Sequence, residues 1–211
     1  MPNFSMRSYS VFLVPAIAAL SFGLDTTKVE AQTTYPFNAI YDVVNKFEPI
    51  SPEVSKVTLT GTSADAPYGL TNIASSSYTR LDPTTGITTA GPDAAEFGIN
   101  GLPILADTFF GSGNNKLFGT STATAMADLP NLTASASGIS TIMGGSGEFT
   151  GAKGTLQISD TYTLSLDPTA PVIGRSFVSG SFQTKVPEPN AAIGIVLGIC
   201  GVGLYRKRQP K

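Results

Sequence analysis

The sequence has 211 residues, of which only 13% are charged, and its 13 Lys and Arg against 15 Asp and Glu leave a net charge of −2. A balance this close to neutral does not attract a phosphate backbone, so we expect no nucleic-acid partner. Histidine is absent and cysteine occurs once, at Cys200, which excludes a Ser-His-Asp triad, a histidine-bound zinc site and a disulfide within this sequence, and we expect no metal and no cofactor.

The N-terminal segment has the features of a secretory signal. An early positive charge precedes the apolar stretch 11–24, which is too short to span about 30 Å of hydrocarbon. Val29 and Ala31 place modest side chains three residues and one residue before a cut between Ala31 and Gln32. The pattern predicts a signal peptide over residues 1–31, and a buried helix of the following domain is the alternative.

Residues 32–185 form the predicted central domain, and their Gly, Ser and Thr content favours many strands and turns over long helices. About seven or eight strands in a domain of this size predict an all-β antiparallel barrel of about eight strands, with a β-sandwich as the alternative. The expected elements, in chain order, are a strand over 38–44 (a helix being the alternative), a strand over 57–60, a loop or short helix within 84–100 centred near 94–97, paired strands over 117–126 and 133–142, a long strand over 155–166 and a closing strand over 176–184.

Three phenylalanines flank a predicted hairpin turn over residues 113–115. Phe109, Phe110 and Phe118 could form a stacking platform for a sugar, with Asn and Asp side chains beside it. Core packing is the favoured interpretation, because Phe is a poorer sugar platform than Trp or Tyr.

The strand over 155–166 alternates apolar and polar side chains, which predicts a half-buried antiparallel strand. Asp160 is the exception, because it falls on the apolar face. A β-bulge that turns it outward is one interpretation. The other pairs it with Glu148 across a hairpin, as two carboxylates would be paired in a glycosidase. Because nothing in the spacing requires such a pair, we expect no enzyme activity.

A glycine-rich run precedes that strand. Residues 144–154, GGSGEFTGAKG, resemble the hairpin of allene oxide cyclase-like and dirigent-like barrels, and Gly180-Ser181-Phe182 stands where those families place a glycine before an aromatic residue. The resemblance implies an eight-stranded antiparallel barrel, but no catalytic residue of the cyclases can be matched. A phosphate loop is disfavoured because a strand, not a helix, follows Lys153, so the glycines are predicted to form a turn with positive φ.

The C-terminal segment, residues 186–211, combines three features. A Pro-containing motif is followed by the uncharged stretch 191–205, which predicts a short transmembrane helix, and then by a basic cluster that would stay in the cytoplasm. The prolines keep the backbone extended and accessible to a processing enzyme. The motif is Val186, Pro187, Glu188 and Pro189, and the cluster is Arg206, Lys207 and Arg208.

This order resembles the PEP-CTERM sorting signal of Gram-negative bacteria that make extracellular polysaccharide. The resemblance implies processing by an exosortase-like enzyme, and an ordinary membrane anchor or a buried apolar segment is the alternative. We therefore expect signal peptidase, the exosortase-like enzyme and the membrane as partners, with polysaccharide a further candidate. The precursor would be anchored in the inner membrane and the mature protein would lie at the cell surface or outside the cell.

The expected function is a structural or adhesive role at the cell surface or in the extracellular matrix. Two alternatives stay open from the sequence. One is a barrel that binds an apolar small molecule or a carbohydrate, which an unfilled lumen would favour. The other is a carboxylate-based hydrolase or a cyclase, which needs acidic groups that converge in a cleft.

Overall fold

The computed structural model describes residues 32–167 and 170–185, which form one all-β unit. The predicted signal peptide, sorting motif, membrane helix and basic cluster lie outside the described residues, as does Ala31 of the predicted cleavage site. The fold consists of nine antiparallel strands, and three short 3₁₀ segments lie in the connections between them. The strands are β1 Gln32–Pro49, β2 Val54–Thr62, β3 Asn72–Leu81, β4 Ile87–Gly91, β5 Asp107–Phe110, β6 Lys116–Asp128, β7 Thr133–Ser146, β8 Lys153–Thr163 and β9 Val172–Lys185.

The nine strands form one hydrogen-bonded sheet that closes into a ring. β1 pairs with β9 along fourteen residues, from Gln32 opposite Lys185 to Asn45 opposite Val172. β3 pairs with β5 through residues 72–75 and with β4 through residues 78–81, and both short strands pair with β6 on their other side. β4 and β5 therefore share one place in the ring, so nine strands occupy eight positions.

One half of the ring interior is filled by aromatic side chains. Phe182 of β9 has its ring stacked on Tyr35 at 5.1 Å between centroids, and it meets Phe149 edge-on at 4.9 Å. Phe149 lies in the 3₁₀ segment Gly147–Phe149 between β7 and β8. Edge-to-face and stacked pairs at these distances add to the burial of large apolar surfaces. The fully buried members of this packed half include Phe37, Leu70, Phe109, Leu117, Phe149, Ala152, Leu156 and Phe182.

A tyrosine hydroxyl connects the wall to the packed half. Tyr41 of β1 is fully buried, and its hydroxyl donates to the backbone carbonyl of Leu70 at 2.6 Å. Burial raises the pKa of Tyr41, which keeps this group a neutral donor.

The structure confirms several predicted elements. Residues 38–44 are strand, a 3₁₀ segment lies at Ala94–Phe97, β6 and β7 pair as expected, and β9 closes the ring. The hairpin predicted around residues 113–115 joins β5 and β6. The long strand ends at Thr163, three residues before its predicted end, and the side chain of Leu166 is 85% exposed.

The interpretation of Asp160 as a residue turned outward by a β-bulge is wrong. β8 keeps an unbroken register with both β7 and β9, so the alternation continues and Asp160 faces the interior. The bulge lies instead between β6 and β7, where Phe118 opposes Gly144 and Gly119 opposes Ile142. Met143 is thus the extra residue, and its side chain is exposed.

Candidate ligand cavity

The other half of the ring interior contains a cavity of about 260 Å³. It lies towards the β1–β2, β3–β4, β6–β7 and β8–β9 connections, opposite the packed aromatic half. Much of its wall is made of small side chains, which leave the space unfilled. These are Ser75, Ser77, Thr79, Thr88, Ala90, Ser121, Ala123, Ala125, Ala134 and Ala136. Larger apolar groups complete the lining at Phe47, Val57, Leu59, Ile73, Ile158, Leu164 and Val172.

A buried carboxyl group forms a polar layer between the cavity and the packed half. Asp107 of β5 is 1% exposed, and it accepts hydrogen bonds from Ser75 at 2.5 Å, from Ser140 at 3.1 Å and from Ser121. The three serines lie on β3, β7 and β6, so the carboxyl group connects four strands. Because both of its oxygens already accept hydrogen bonds, Asp107 has a structural role beneath the cavity.

A second buried carboxyl group lies in the cavity wall. Asp160 of β8 is opposite Ser176 of β9 in the register, and it accepts a hydrogen bond of 2.7 Å from the hydroxyl of Tyr162 two residues along the same face. All three residues line the cavity, as does Asn45 of β1. These four side chains form the polar wall of the cavity.

A glycine of β9 leaves room for the tyrosine of the polar wall. Gly174 of β9 lies opposite Tyr162, and a Cβ placed on it would come within 2.5 Å of the tyrosine ring. Without that Cβ, β9 leaves room for the ring, which lines the same cavity as Asn45 of β1. Burial and then the charge of Asp160 raise the pKa of Tyr162, so the phenol stays protonated as a donor.

Two polar atoms of this wall have no hydrogen-bond partner. They are Oδ1 of Asp160 and Oδ1 of Asn45, and their side chains are 7% and 6% exposed. Buried polar atoms are nearly always paired in folded proteins, because an unpaired one loses its hydration without compensation. Their position in the cavity wall indicates a place for hydrogen-bond donors from outside the chain.

Burial raises the pKa of both carboxyl groups. For Asp107, hydrogen bonds from Ser121, Ser75 and Ser140 oppose the effect of desolvation without cancelling it. For Asp160, desolvation outweighs the influence of the neighbouring Ser176 hydroxyl and the hydrogen bond from Tyr162, and the pKa remains above its usual value of 3.8. The interior therefore disfavours the charged form of each group.

The structure does not bring together the other predicted site residues. Phe109 is buried inside the ring, whereas Phe118 lies on the outer face and is partly exposed, so the three phenylalanines cannot form one platform. Glu148 is exposed at the start of the β7–β8 connection, where its side chain is 3.5 Å from Asn115. It lies past the other end of β8 from Asp160, roughly 20 Å or more away at about 3.3 Å per residue, so the two carboxyl groups do not form a pair.

The glycine-rich run forms a turn, as predicted. Gly147 and Gly151 have φ of 65° and 73°, and a Cβ on Gly145 would come within 2.4 Å of the carbonyl oxygen of Phe149. These glycines let the connection fold over the packed half, where Phe149 and Ala152 are fully buried. Their role is conformational.

A wider depression of about 930 Å³ lies at the β6–β7 turn, beside Leu129, Pro130 and Arg175. It is open to solvent and larger than the cavity. None of the unpartnered buried atoms of the described residues belongs to its lining. We therefore assign the candidate site to the cavity inside the ring.

In the part of the chain that the structure describes, no cluster of three acidic, histidine or cysteine side chains is placed as metal ligands would be. Those same residues include no helix with the length and apolar character needed to cross a bilayer. Comparison with known proteins found no matching family model, no matching curated protein and no matching solved structure.

Sequence reasoning singled out Asp160 but missed the other members of the polar wall. Asn45 and Ser176 face inward at positions where the alternation of β1 and β9 predicts apolar side chains. A polar residue at an inward position of an otherwise apolar alternation was the available signal. Their meeting depends on the strand order around the ring, which the sequence does not state.

Proposed function

We propose that the chain is an exported protein whose ring of strands is a closed barrel that holds a small, mainly apolar molecule. The cavity of about 260 Å³ carries this proposal. Small-molecule sites are concave, mostly apolar and provided with a few polar groups, and their volumes begin at about 300 Å³. The resemblance of the glycine-rich run to allene oxide cyclase-like and dirigent-like barrels is consistent with this architecture.

The unfilled half of the interior favours ligand binding over a purely structural or adhesive role. A scaffold gains stability from a lumen filled with side chains, as the packed half is filled. Five of the cavity positions on β6 and β7 carry alanine, namely Ala123, Ala125, Ala127, Ala134 and Ala136. Larger apolar side chains there would add buried surface, so their absence has a cost that ligand binding would explain.

The two buried carboxyl groups support binding rather than acid–base catalysis. Both oxygens of Asp107 accept serine hydroxyls, and Glu148 lies far from Asp160. A carboxylate hydrolase needs two acidic groups that flank the same substrate bond. We therefore propose a non-catalytic role.

The cavity proposal is tested with propylbenzene and the full-length chain, by saturation-transfer NMR and by a thermal shift. We expect saturable binding and a rise in Tm. Ala123→Leu should reduce binding at least tenfold, because its side chain enters the cavity. Thr122→Leu is the matched control on the outer face of the same strand and should leave binding unchanged. Absence of binding, or equal binding by both variants, would overturn the proposal.

The export proposal rests on the two terminal segments of the sequence and has its own test. Intact mass spectrometry of the protein from its native cells and medium should show loss of residues 1–31 and of the chain beyond about Val186. A mass that retains residues 191–211 would reduce the C-terminal segment to a membrane anchor and remove the exosortase-like enzyme from the proposal.

A further inference from the structure

The cavity lining contains a carboxyl group and no cation. Among the residues that line it, Asp160 and Tyr162 are the two ionisable side chains, and neither Lys nor Arg is present. The three ion pairs found within the described residues, Lys56–Glu48, Arg80–Glu53 and Arg175–Asp42, all involve exposed or largely exposed side chains. Asp160 therefore has no counter-ion of its own inside the barrel.

The two unpartnered atoms of the polar wall are hydrogen-bond acceptors that lack donors. Oδ1 of Asn45 can only accept a hydrogen bond, and Oδ1 of Asp160 also accepts when the carboxyl group is ionised. The hydroxyl of Tyr162 is already used, since it donates to the other oxygen of Asp160 at 2.7 Å. A ligand that supplies donors without acceptors would satisfy this wall.

The groups that face Asp160 from neighbouring strands supply no positive charge. Ala136 lies opposite it on β7, and Ser176 lies opposite it on β9, with Tyr41 of β1 beyond the serine. The other buried carboxyl group, Asp107, is separated from the cavity by the serines that donate to it. A positive charge beside Asp160 would thus meet only neutral or negative groups.

We propose that the cavity selects a compact organic cation, a primary amine on an apolar body, whose ammonium group lies against Asp160 and Asn45. This inference rests on the proposed function and names the ligand class of the same cavity. An ammonium group has three donors and no acceptor, so it matches two acceptor oxygens and leaves one donor for the hydroxyls nearby. The small apolar wall residues receive the rest of the molecule.

The charge of the ligand also compensates the cost of burying the carboxylate. A buried carboxylate without a partner is unfavourable, and a cation within hydrogen-bond distance favours its charged form. Hydrogen bonds between two charged partners are about twice as strong as neutral ones. An alcohol of the same shape would donate once and bring no charge.

The test compares three probes of nearly identical shape on the full-length chain by calorimetry and ligand-observed NMR. They are phenethylamine, 2-phenylethanol and propylbenzene, which differ only in the terminal group. We expect phenethylamine to bind at least tenfold more tightly than 2-phenylethanol at neutral pH. Equal affinity, or preference for the alcohol, would overturn the inference while propylbenzene binding would still support the cavity itself.

Substitution of the carboxyl group separates selectivity from binding. Asp160→Asn keeps the shape of the side chain and should abolish the preference for the amine while leaving propylbenzene affinity unchanged. Asp42→Asn removes an exposed carboxyl group from the outer face and is the control that should change neither. Retained amine preference in Asp160→Asn would overturn the inference.

The pH profile of the unaltered protein gives a second readout that needs no variant. Phenethylamine stays cationic below a pKa of roughly 10, as an aliphatic ammonium does. A proton on Asp160 competes with it, so amine affinity should fall as pH decreases. Because burial raises the pKa of Asp160, this loss should begin at a pH above that of an exposed aspartate. A flat profile for the amine would contradict the inference, and 2-phenylethanol supplies the flat reference.

Discussion

Replacing Phe182 by alanine tests the division of the interior most directly. Phe182 is fully buried in β9, with its ring stacked on Tyr35 and edge-on to Phe149. Loss of a buried aromatic side chain costs about 3–5 kcal/mol, from lost transfer free energy and from the void left behind. A cost of about 4 kcal/mol lowers Tm by roughly 8–16 °C for a chain of this size.

The matched control for this prediction is Phe177→Ala on the same strand. Phe177 lies on the opposite face, in register with Ile40, and its side chain is 41% exposed. Its removal should cost less than about 1 kcal/mol. Equilibrium urea unfolding followed by far-UV circular dichroism measures both values.

The two costs also test the register of β9. A shift of one residue would exchange its inner and outer faces. If Phe177→Ala costs as much as Phe182→Ala, or if Phe182→Ala costs less than about 1 kcal/mol, the assignment of the packed half is refuted.

Three further substitutions test Gly174 in the cavity wall, the buried Tyr41 hydroxyl and the buried Asp107 carboxyl group. Gly174→Ala should destabilise the protein by about 1–3 kcal/mol because its Cβ meets the Tyr162 ring, whereas Gly144→Ala, with open space around it, should stay within about 0.5 kcal/mol in urea titrations. Tyr41→Phe should cost about 1–2 kcal/mol by thermal unfolding because it removes a buried hydrogen bond. Tyr68→Phe removes an exposed hydrogen bond and is the control, which should cost little. An equally small loss for Tyr41→Phe would contradict the prediction. Burial raises the pKa of Asp107 above 3.8, so its ionisation costs stability and the free energy of unfolding should fall as pH rises through the folded-state pKa. Asp107→Asn should remove part of that fall, and an unchanged pH slope would argue against the raised pKa.

Strand periodicity made much of the wall predictable from the sequence. The alternation around Leu156 and Ile158 correctly predicted a half-buried strand, and the glycine-rich run correctly predicted a turn with positive φ. These features depend on local backbone geometry, which neighbouring residues determine.

The short strands were not predictable in the same way. β4 has five residues and β5 has four, too few for a clear alternation. They are stable as strands because each lies between β3 and β6, which satisfy their backbone hydrogen bonds on both sides. That stabilisation comes from distant parts of the chain.

The candidate site shows the same limit. The sequence identified Asp160 as unusual, but a bulge that turns it outward considers only its own strand. The pairing of β8 with β7 and β9 determines that its side chain faces inward. Asn45 of β1 joins Asp160 and Tyr162 of β8 in the cavity lining because β9 pairs with both strands. Such an arrangement joins residues far apart in the chain and has no signature in any short window of sequence.

The pairing of β1 with β9 also determines which end of the ring would lie next to a C-terminal tether. Gln32 and Lys185 are neighbours in that pairing, so the chain enters and leaves the ring side by side at the end closed by the aromatic cluster. Any tether that follows Lys185 would hold this closed end towards its support. The cavity would then face the surrounding medium, where a diffusing molecule could enter without passing the point of attachment.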